Sequence, residues 1–293
     1  MTTDTRYGMA MAERAMPLLF VGIWATGFIV ARLVAPHAEP LTFLMIRYVL
    51  SALVFGAVAV VTGAQWPRTM SSWRSALVAG VLMQGIYLGG VFWSVRHGLP
   101  AGISALIAGL QPLLTGALAY PLLGERVGQR RWLGIALGFF GSVLVLLPGT
   151  IGALPALPLA VCFGAMVAMT LGTIWQKRTA AGADLRTNAA VQFLGAAVVT
   201  APLALLLEQG GFDGSMVVLA GLLWAVFGLS IGAVSLLMLL IRRGAIAGVA
   251  SLFYLVPPVA AVIAFLLFGE RLSLVQVGGM LLAATGVAIA NRS

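Results

Sequence analysis

Charged residues are scarce in this chain. Only 9% of its 293 residues are Asp, Glu, Lys or Arg, whereas 61% are hydrophobic, and the mean hydropathy is +1.07. A soluble protein cannot cover its surface with so few charges, so the composition indicates an integral membrane protein surrounded by the lipid bilayer. Cysteine is scarcer still, with one copy, which excludes an internal disulfide and a zinc site built from thiolates.

Acidic side chains are missing where catalysis would need them. The eight acids lie in tails, in loops or at the ends of apolar runs, and the two histidines, His37 and His97, are far apart in sequence. The sequence shows no carboxylate pair at membrane depth, no Ser–His pair and no phosphate-binding glycine loop. We therefore expect no enzyme activity, no metal site and no cofactor. The same absence disfavours exchange of a cationic substrate for a proton, which usually requires a carboxylate at membrane depth.

Basic residues outnumber acidic ones, 17 against 8, and the net charge is +9. They sit in short loops between apolar runs and form no basic patch interleaved with aromatics, so we expect no nucleic-acid partner. When the N-terminus is placed inside, most Lys and Arg fall on the inner side, and only Arg32, Arg96 and Arg271 fall outside. The positive-inside rule therefore predicts that both termini are cytoplasmic.

Ten apolar runs are long enough to cross a bilayer as helices. The first is longer than the hydrophobic region of a signal peptide, so we interpret it as a transmembrane helix. The joining loops are short and leave no room for an extramembrane domain. The predicted spans lie near residues 16–36, 41–63, 73–96, 101–123, 130–148, 155–178, 187–208, 217–241, 246–268 and 273–291.

The second half of the sequence repeats the first. Gly27 aligns with Gly172, and the run Gly124-Glu125-Arg126 aligns with Gly269-Glu270-Arg271. We predict two units, residues 1–148 and 149–293, with five spans each. Because five is odd, the units enter the membrane from opposite sides, and inverted repeats of this kind are typical of alternating-access transporters. Glu125 and Glu270 are expected to be helix-end residues paired with the arginines beside them.

Several of these residues also form a family pattern. Trp24-Ala-Thr-Gly27-Phe28 leads to Arg32 in span one, Pro40 leads to Arg47 in span two, and a Pro…Gly-Glu-Arg run closes each half. The chain thereby resembles the EamA domain of the drug/metabolite transporter superfamily, present twice, and within it bacterial exporters of aromatic and other neutral amino acids. The second half departs from the pattern, because Trp24 has no Trp counterpart and Gln192 replaces Arg47.

The resemblance implies an all-α integral membrane protein of the bacterial inner membrane. Its ten transmembrane helices would form two inverted five-helix repeats, with spans one to four and six to nine around a central cavity. Spans five and ten would pack outside the cavity, as a scaffold or as a dimer surface, so the chain would be a monomer or a homodimer. Both spans carry small residues at spacings that allow close helix packing.

Polar, aromatic and methionine side chains near the middle of the other spans are candidates for the substrate pathway. The amides offer both a donor and an acceptor, and the aromatic and methionine side chains offer an apolar, adaptable wall. Interhelical hydrogen bonding and ordinary packing are the alternative for each of them. The predicted pathway residues are Trp24, Phe28, Met83, Gln84, Tyr87, Gln111, Met166, Thr170, Phe253 and Tyr254.

Arg47 and three prolines complete the candidates. Arg47 is the one basic residue clearly inside a span. It would hold a gate or contact a substrate carboxylate, or else reach outward to the membrane interface or to backbone carbonyls. Pro112, Pro257 and Pro258 interrupt spans four and nine near their centres. Such breaks mark a midplane site or a gating bend in transporters, and a static kink is the alternative.

Together these features predict an alternating-access transporter for small neutral metabolites. The substrate class that the resemblance implies is the aromatic and other apolar amino acids, moved outward. Since no carboxylate is available for proton coupling, the gradient of the substrate itself would drive the flux. Two alternatives stay open: a broad-specificity drug or metabolite exporter of the same fold, and a structural or channel-like membrane protein without substrate turnover.

Overall fold

The computed structural model describes residues 3–99, 101–146, 155–180, 182–244, 246–268 and 273–291, and nearly all of them are helical. The first half holds five helices: α1 (Thr3–Val34), α2 (Pro40–Val61), α3 (Met70–Arg96), α4 (Ala101–Ala108 and Gln111–Leu123) and α5 (Gln129–Leu146). The second half holds α6 (Ala156–Thr179), α7 (Leu185–Leu207), α8 (Met216–Arg243), α9 (Ile246–Ser251, Leu252–Leu255 and Val256–Phe268) and α10 (Leu274–Asn291).

The ten helices correspond to the ten predicted spans. Nine of them, within the described ranges, are long and apolar enough to cross a membrane. The tenth, α5, is less apolar because it opens with Gln129, Arg130 and Arg131. The largest difference lies at the start, where α1 begins at Thr3 although its apolar part is Ala15–Val34. The Ala, Met, Glu and Arg residues before that part favour helix and carry it beyond the apolar run.

The two halves are related by an inverted arrangement, as predicted. Helices α2 and α7 lie antiparallel, since the start of α2 contacts Glu208 after α7, while Thr187 near the start of α7 bonds Gln65 after α2. Helix α1 packs on α8, and its counterpart α6 packs on α3 in the same way. We call the membrane face that holds both ends of the chain the terminal face, and the opposite face the distal face.

Helices α5 and α10 pack with their backbones close together. A Cβ at Gly134, Gly141 or Gly286 would overlap the backbone of the facing helix, so only glycine permits this approach. The sequence left open whether these helices act as a scaffold or as a dimer surface. Their small residues pack against each other within one chain, and a dimer surface on their outer sides stays a prediction. Gly278 is different, because nothing lies within 4 Å of its missing Cβ.

Large apolar side chains cover the outside of the helix assembly. Leu53, Val60, Phe140, Leu205 and Leu281 are each more than half exposed. A soluble fold would bury such side chains, whereas lipid tails solvate them. The largest buried cluster among the described residues is rich in aromatics, draws on both halves and includes Phe20, Tyr48, Phe193 and Tyr254.

Candidate functional site

Trp24, Tyr87 and Val256 of this cluster line a small cavity. Its walls come from α1, α3, α4, α5 and α9, so both repeats contribute to it. The volume that the centre of a water molecule can reach is about 30 Å³, which accommodates roughly two water molecules and no amino acid. The lining residues are Trp24, Tyr87, Ala108, Gly109, Ser142, Phe253, Val256 and Pro257.

Aromatic rings dominate the wall. Phe253 packs edge-on against Trp24 with ring centroids 5.3 Å apart and against Phe20 at 5.4 Å, and Phe20 lies 5.3 Å from Trp24. Edge-to-face pairs at this spacing are stabilising and hold each ring in place. Tyr87 completes the lining from α3 and is 6% exposed. The cavity is therefore mostly apolar with few polar groups, as ligand sites for apolar side chains are.

Helices α4 and α9 are each interrupted beside the cavity. Helix α4 stops after Ala108 and restarts at Gln111, so Pro112 is the second residue of a new segment. Pro257 and Pro258 likewise stand second and third in the last segment of α9, after the tight 3₁₀ turn Leu252–Leu255. The prolines therefore start helices, where no backbone N–H is needed, and do not kink continuous ones. Of the three, only Pro257 lines the cavity.

Two glutamines are buried without their full hydrogen bonds. Gln111 is 2% exposed, and neither amide atom has a partner among the described residues. Gln84 is 1% exposed, and its Oε1 is likewise without a partner there. Unpartnered buried amides cost stability, so their retention suits groups that meet a ligand. Gln84 lies on α3 one turn before Tyr87 of the cavity wall.

Arg47 does not reach outward to the membrane interface. It is 6% exposed, and its Nε donates to Ser230 Oγ at 3.1 Å. Ser230 lies in a π-helical stretch of α8, Ala225–Val234, and its hydroxyl donates to Ala225 O at 3.0 Å. The next residue on α2, Tyr48, donates to Gln84 O at 2.9 Å. Gln84 belongs to the π-helical stretch of α3, Val81–Ile86, so neighbouring residues on α2 contact matching stretches of both repeats.

The other predicted pathway residues lie in the surrounding packing. Met83 packs against Gly172, which has no side chain to exclude it. Met166 belongs to a separate apolar cluster with Leu99, and Thr170 Oγ1 donates to Met166 O at 3.0 Å. Tyr254 fits against Gly138 of α5, and its hydroxyl has no partner in the described chain. The Phe28 side chain falls outside the described part. The structure therefore brings together Trp24, Tyr87, Phe253 and Pro257.

Comparison with known proteins identifies the family. The model of the EamA-like transporter family matches the chain twice, over residues 15–147 and 156–292. The chain belongs to the EamA-like transporter family. It is a multi-pass membrane protein.

Several relatives and a solved structure resemble this EamA protein over most of its length. It is 26% identical to an uncharacterized transporter, YvbV, of Bacillus subtilis, over 94% of this chain and 91% of the relative. It is also 26% identical to a protein of Salmonella typhimurium named a probable amino-acid metabolite efflux pump, over 96% and 95%. A crystal structure at 19% identity superposes with a TM-score of 0.78 and covers 94% of this chain and 96% of that one, which shows a shared fold.

Contacts at the distal face join the two EamA repeats. Both oxygens of Glu208, at the end of α7, accept hydrogen bonds from the first turn of α2: Leu41 N at 2.8 Å, Thr42 N at 2.7 Å and Thr42 Oγ1 at 2.9 Å. In return, Glu39 Oε2 accepts from the backbone N–H groups of Gln209 and Gly211, at 2.9 and 2.8 Å. We call residues 35–42 and 208–215 the distal latch.

An acid–base pair strengthens the distal latch. His37 Nδ1 lies 2.6 Å from Asp213 Oδ2, and Asp213 Oδ1 accepts from Ser215 N at 2.9 Å. The bond from the Ser215 backbone and then the one from His37 hold the pKa of the Asp213 carboxyl below its usual range. The histidine and the acid are far apart in sequence, so only the fold reveals their pairing.

At the terminal face, Glu125 bonds the start of a helix in the other repeat. Glu125 Oε2, just after α4, accepts from Ile246 N at the start of α9 at 3.0 Å, and its Oε1 lies 3.9 Å from Lys177 Nζ. Glu125 thus has partners on the other repeat, whereas the Arg126 guanidinium lies 5.3 Å from the centre of the Tyr120 ring. A carboxylate suits the N-terminal end of a helix, where backbone N–H groups are unpaired. Glu270 and Arg271 lie outside the described residues.

Proposed function

We propose that the protein exports small neutral metabolites, above all aromatic and other large apolar amino acids, across the bacterial inner membrane. The observation that carries the proposal is the cavity shared by both repeats and walled by Trp24, Tyr87 and Phe253. Aromatic walls suit an apolar or aromatic side chain, which binds by burial and ring contacts. The Salmonella typhimurium relative named a probable amino-acid metabolite efflux pump supports this substrate class.

Alternating access is the proposed mechanism. Carboxylates at opposite faces, Glu208 and Glu125, each bond a helix start in the other repeat. Releasing one contact while keeping the other would open the cavity to one face at a time. The cavity must widen to admit a substrate, because about 30 Å³ is too small for an amino acid. Substrate binding would select that wider state.

The energy source is proposed to be the gradient of the substrate itself. None of the eight acids of the sequence lies near the middle of a span, so no carboxylate is placed to exchange a proton for substrate at membrane depth. In proteoliposomes, the flux is expected to be unchanged by an imposed pH gradient. A flux that follows the pH gradient would contradict uncoupled export.

Counterflow of labelled phenylalanine tests the substrate class. Purified protein in proteoliposomes is loaded with unlabelled phenylalanine, other amino acids or organic dyes, and uptake of the label is followed. We expect saturable exchange with aromatic and large apolar amino acids and little exchange with dyes. Exchange with dyes as fast as with phenylalanine would favour a broad-specificity exporter instead. No saturable exchange, together with full tolerance of alanine at Gln84 and Gln111, would favour a non-transporting protein.

Orientation is proposed from the loop charges, with the terminal face in the cytoplasm. Gln209 on the distal face and Gly128 on the terminal face are both exposed, so each suits a cysteine probe. With Cys162→Ser as background, Gln209→Cys should react with an impermeant maleimide in intact cells. Gly128→Cys should react only after permeabilisation. The reverse pattern would overturn the assigned orientation.

A further inference from the structure

A second cavity lies near the terminal face, between α6 and α8. Gln176 and Lys177 of α6 and Ala180 just after it form one wall, and Met238, Ile241 and Arg242 of α8 form the other. The volume open to the centre of a water molecule is about 70 Å³, compared with about 30 Å³ in the central cavity. This space accommodates several water molecules or a carboxylate group.

Two cations face this cavity and are held by carbonyls. Lys177 Nζ donates to Gly244 O at 2.5 Å. The Arg242 guanidinium donates to Ala180 O at 3.2 Å and also to Ala183 O. Carbonyl oxygens are neutral, so they fix the position of each cation without removing its charge. Two acids lie nearby in the described chain: Glu125 is 3.9 Å from Lys177 and is bonded to the backbone of α9, and Asp184, which follows Ala183, is bonded to Arg186.

The remaining polar wall offers donors. Gln176 is 4% exposed, and its Oε1 accepts from Gln192 Nε2 at 2.6 Å. That bond uses one lone pair of Gln176 Oε1, and the same amide carries two N–H donors. Next to it, Gln192 Oε1 is buried and has no partner among the described residues. A lysine, a guanidinium and an amide N–H together suit an acceptor with negative charge, and a guanidinium matches the two oxygens of a carboxylate.

We propose that this cavity binds the carboxylate of a small organic acid. Met238 and Ile241 supply the apolar part of the wall, where the carbon atoms next to the carboxylate lie. In transport, the site loads the carboxylate of the amino acid at the terminal face before the substrate reaches the aromatic cavity. This loading role rests on the proposed export function, whereas carboxylate binding itself does not.

Binding is tested without transport, with acetate as the probe. The thermal unfolding temperature of the purified protein is measured in acetate, chloride and phosphate at equal ionic strength. Acetate should raise it for the wild-type protein and for Arg178→Gln and Arg243→Gln, which remove exposed neighbouring charges. The rise should disappear in Lys177→Gln and Arg242→Gln. An equal rise with chloride or phosphate, or a rise retained in both cavity variants, would overturn the proposal.

Replacing Lys177 or Arg242 also removes bonds to backbone carbonyls and so could disturb folding. Two further variants distinguish loss of the binding site from loss of folding. Arg242→Lys keeps the charge and should retain most of the acetate effect. Ala180→Leu fills the cavity while leaving both cations in place, and it should abolish the effect. Retention of the acetate effect in Ala180→Leu would contradict binding in this cavity.

The loading role has its own readout. The KM for phenylalanine presented at the terminal face should rise about tenfold in Arg242→Gln, as expected for one lost charged hydrogen bond. The KM for phenylalaninamide, which lacks the carboxylate, should not change. An equal rise for both compounds would contradict the loading role, whereas failure of acetate to bind would leave the proposed export standing.

Discussion

Gln111 is a residue where stability and function should oppose each other. Its buried amide has no hydrogen-bond partner in the described chain, and an unpartnered buried amide costs about 1–3 kcal/mol. Gln111→Leu keeps the approximate volume and removes that cost. We expect its free energy of unfolding to rise by about 1–3 kcal/mol while the KM for phenylalanine counterflow rises about tenfold. Thermal unfolding and counterflow on the same preparation check both effects.

Thr115→Val is the matched control for Gln111. Thr115 lies one turn further along α4, is fully buried, and its hydroxyl has no partner among the described residues. Its replacement should also raise stability, because it too removes an unpartnered polar group. Counterflow should be unchanged. Equal loss of counterflow in both variants would show that the transport defect comes from repacking of α4 and not from the Gln111 amide.

Asp213 predicts a pH dependence for the distal latch. Hydrogen bonds from the Ser215 backbone and from His37 lower the pKa of its carboxyl. An Asp with a lowered pKa stabilises the folded state above its unfolded value, about 3.9, and this contribution is lost as pH falls through the folded value. The unfolding temperature of the wild-type protein should therefore fall more steeply below about pH 4 than that of Asp213→Asn.

His37→Gln separates the two causes of this effect. The Ser215 backbone bond is the larger cause of the lowered pKa, and it survives this substitution. Most of the Asp213 contribution to the acid dependence should therefore persist in His37→Gln and be lost in Asp213→Asn. If His37→Gln lowers the acid dependence as much as Asp213→Asn does, the effect would be assigned to the histidine.

At the scale of elements, the α5–α10 pair predicts opposite effects for two similar substitutions. A Cβ at Gly141 would overlap the backbone of α10 at Ala283, whereas a Cβ at Gly278 meets nothing within 4 Å. Gly141→Ala should lower the free energy of unfolding by about 1–3 kcal/mol through overpacking. Gly278→Ala should raise it by up to about 1 kcal/mol, because alanine favours helix. Unfolding in detergent measures both, and a loss at Gly278 would contradict the assigned interface.

Helix positions were predictable because each span is a long apolar run bounded by polar residues. The π-helical stretches Val81–Ile86 and Ala225–Val234 were not. Residues of another helix contact both stretches, as Arg47 contacts Ser230, and nothing in their own sequences sets them apart. The break after Ala108 was foreshadowed by Pro112, although the proline proved to start a segment and not to bend one.

The sequence predicted the residue types of the candidate site better than the directions in which their side chains point. Trp24, Tyr87 and Phe253, which the sequence places on the substrate pathway, line the cavity, and their contact with a substrate stays a prediction. Tyr254, next to Phe253, faces Gly138 instead, because adjacent residues in a 3₁₀ turn point about 120° apart. The contacts of Glu208 and Glu125 with the opposite repeat join residues far apart in sequence. No local pattern signals such contacts.

For the whole molecule, two carboxylates make the same kind of contact between the repeats at opposite membrane faces. Glu208 bonds the start of α2 at the distal face, and Glu125 bonds the start of α9 at the terminal face. Removing either should favour opening toward its own face. A cysteine reporter in the cavity distinguishes the two directions, because an impermeant reagent reaches it only from the open side. Ala108→Cys serves in a Cys162→Ser background, since Ala108 lines the cavity and Cys162 is the only native thiol.

Glu208→Ala removes three hydrogen bonds to one carboxylate, so labelling of Ala108→Cys from the distal face should accelerate at least tenfold. Glu125→Ala should accelerate labelling from the terminal face by a smaller factor, since it loses one hydrogen bond and a pairing at 3.9 Å. Spheroplasts and inside-out vesicles expose the two faces separately. Acceleration from the same face in both variants would contradict alternating access and would indicate general loosening of the fold. Acceleration from opposite faces would establish that each carboxylate closes its own side.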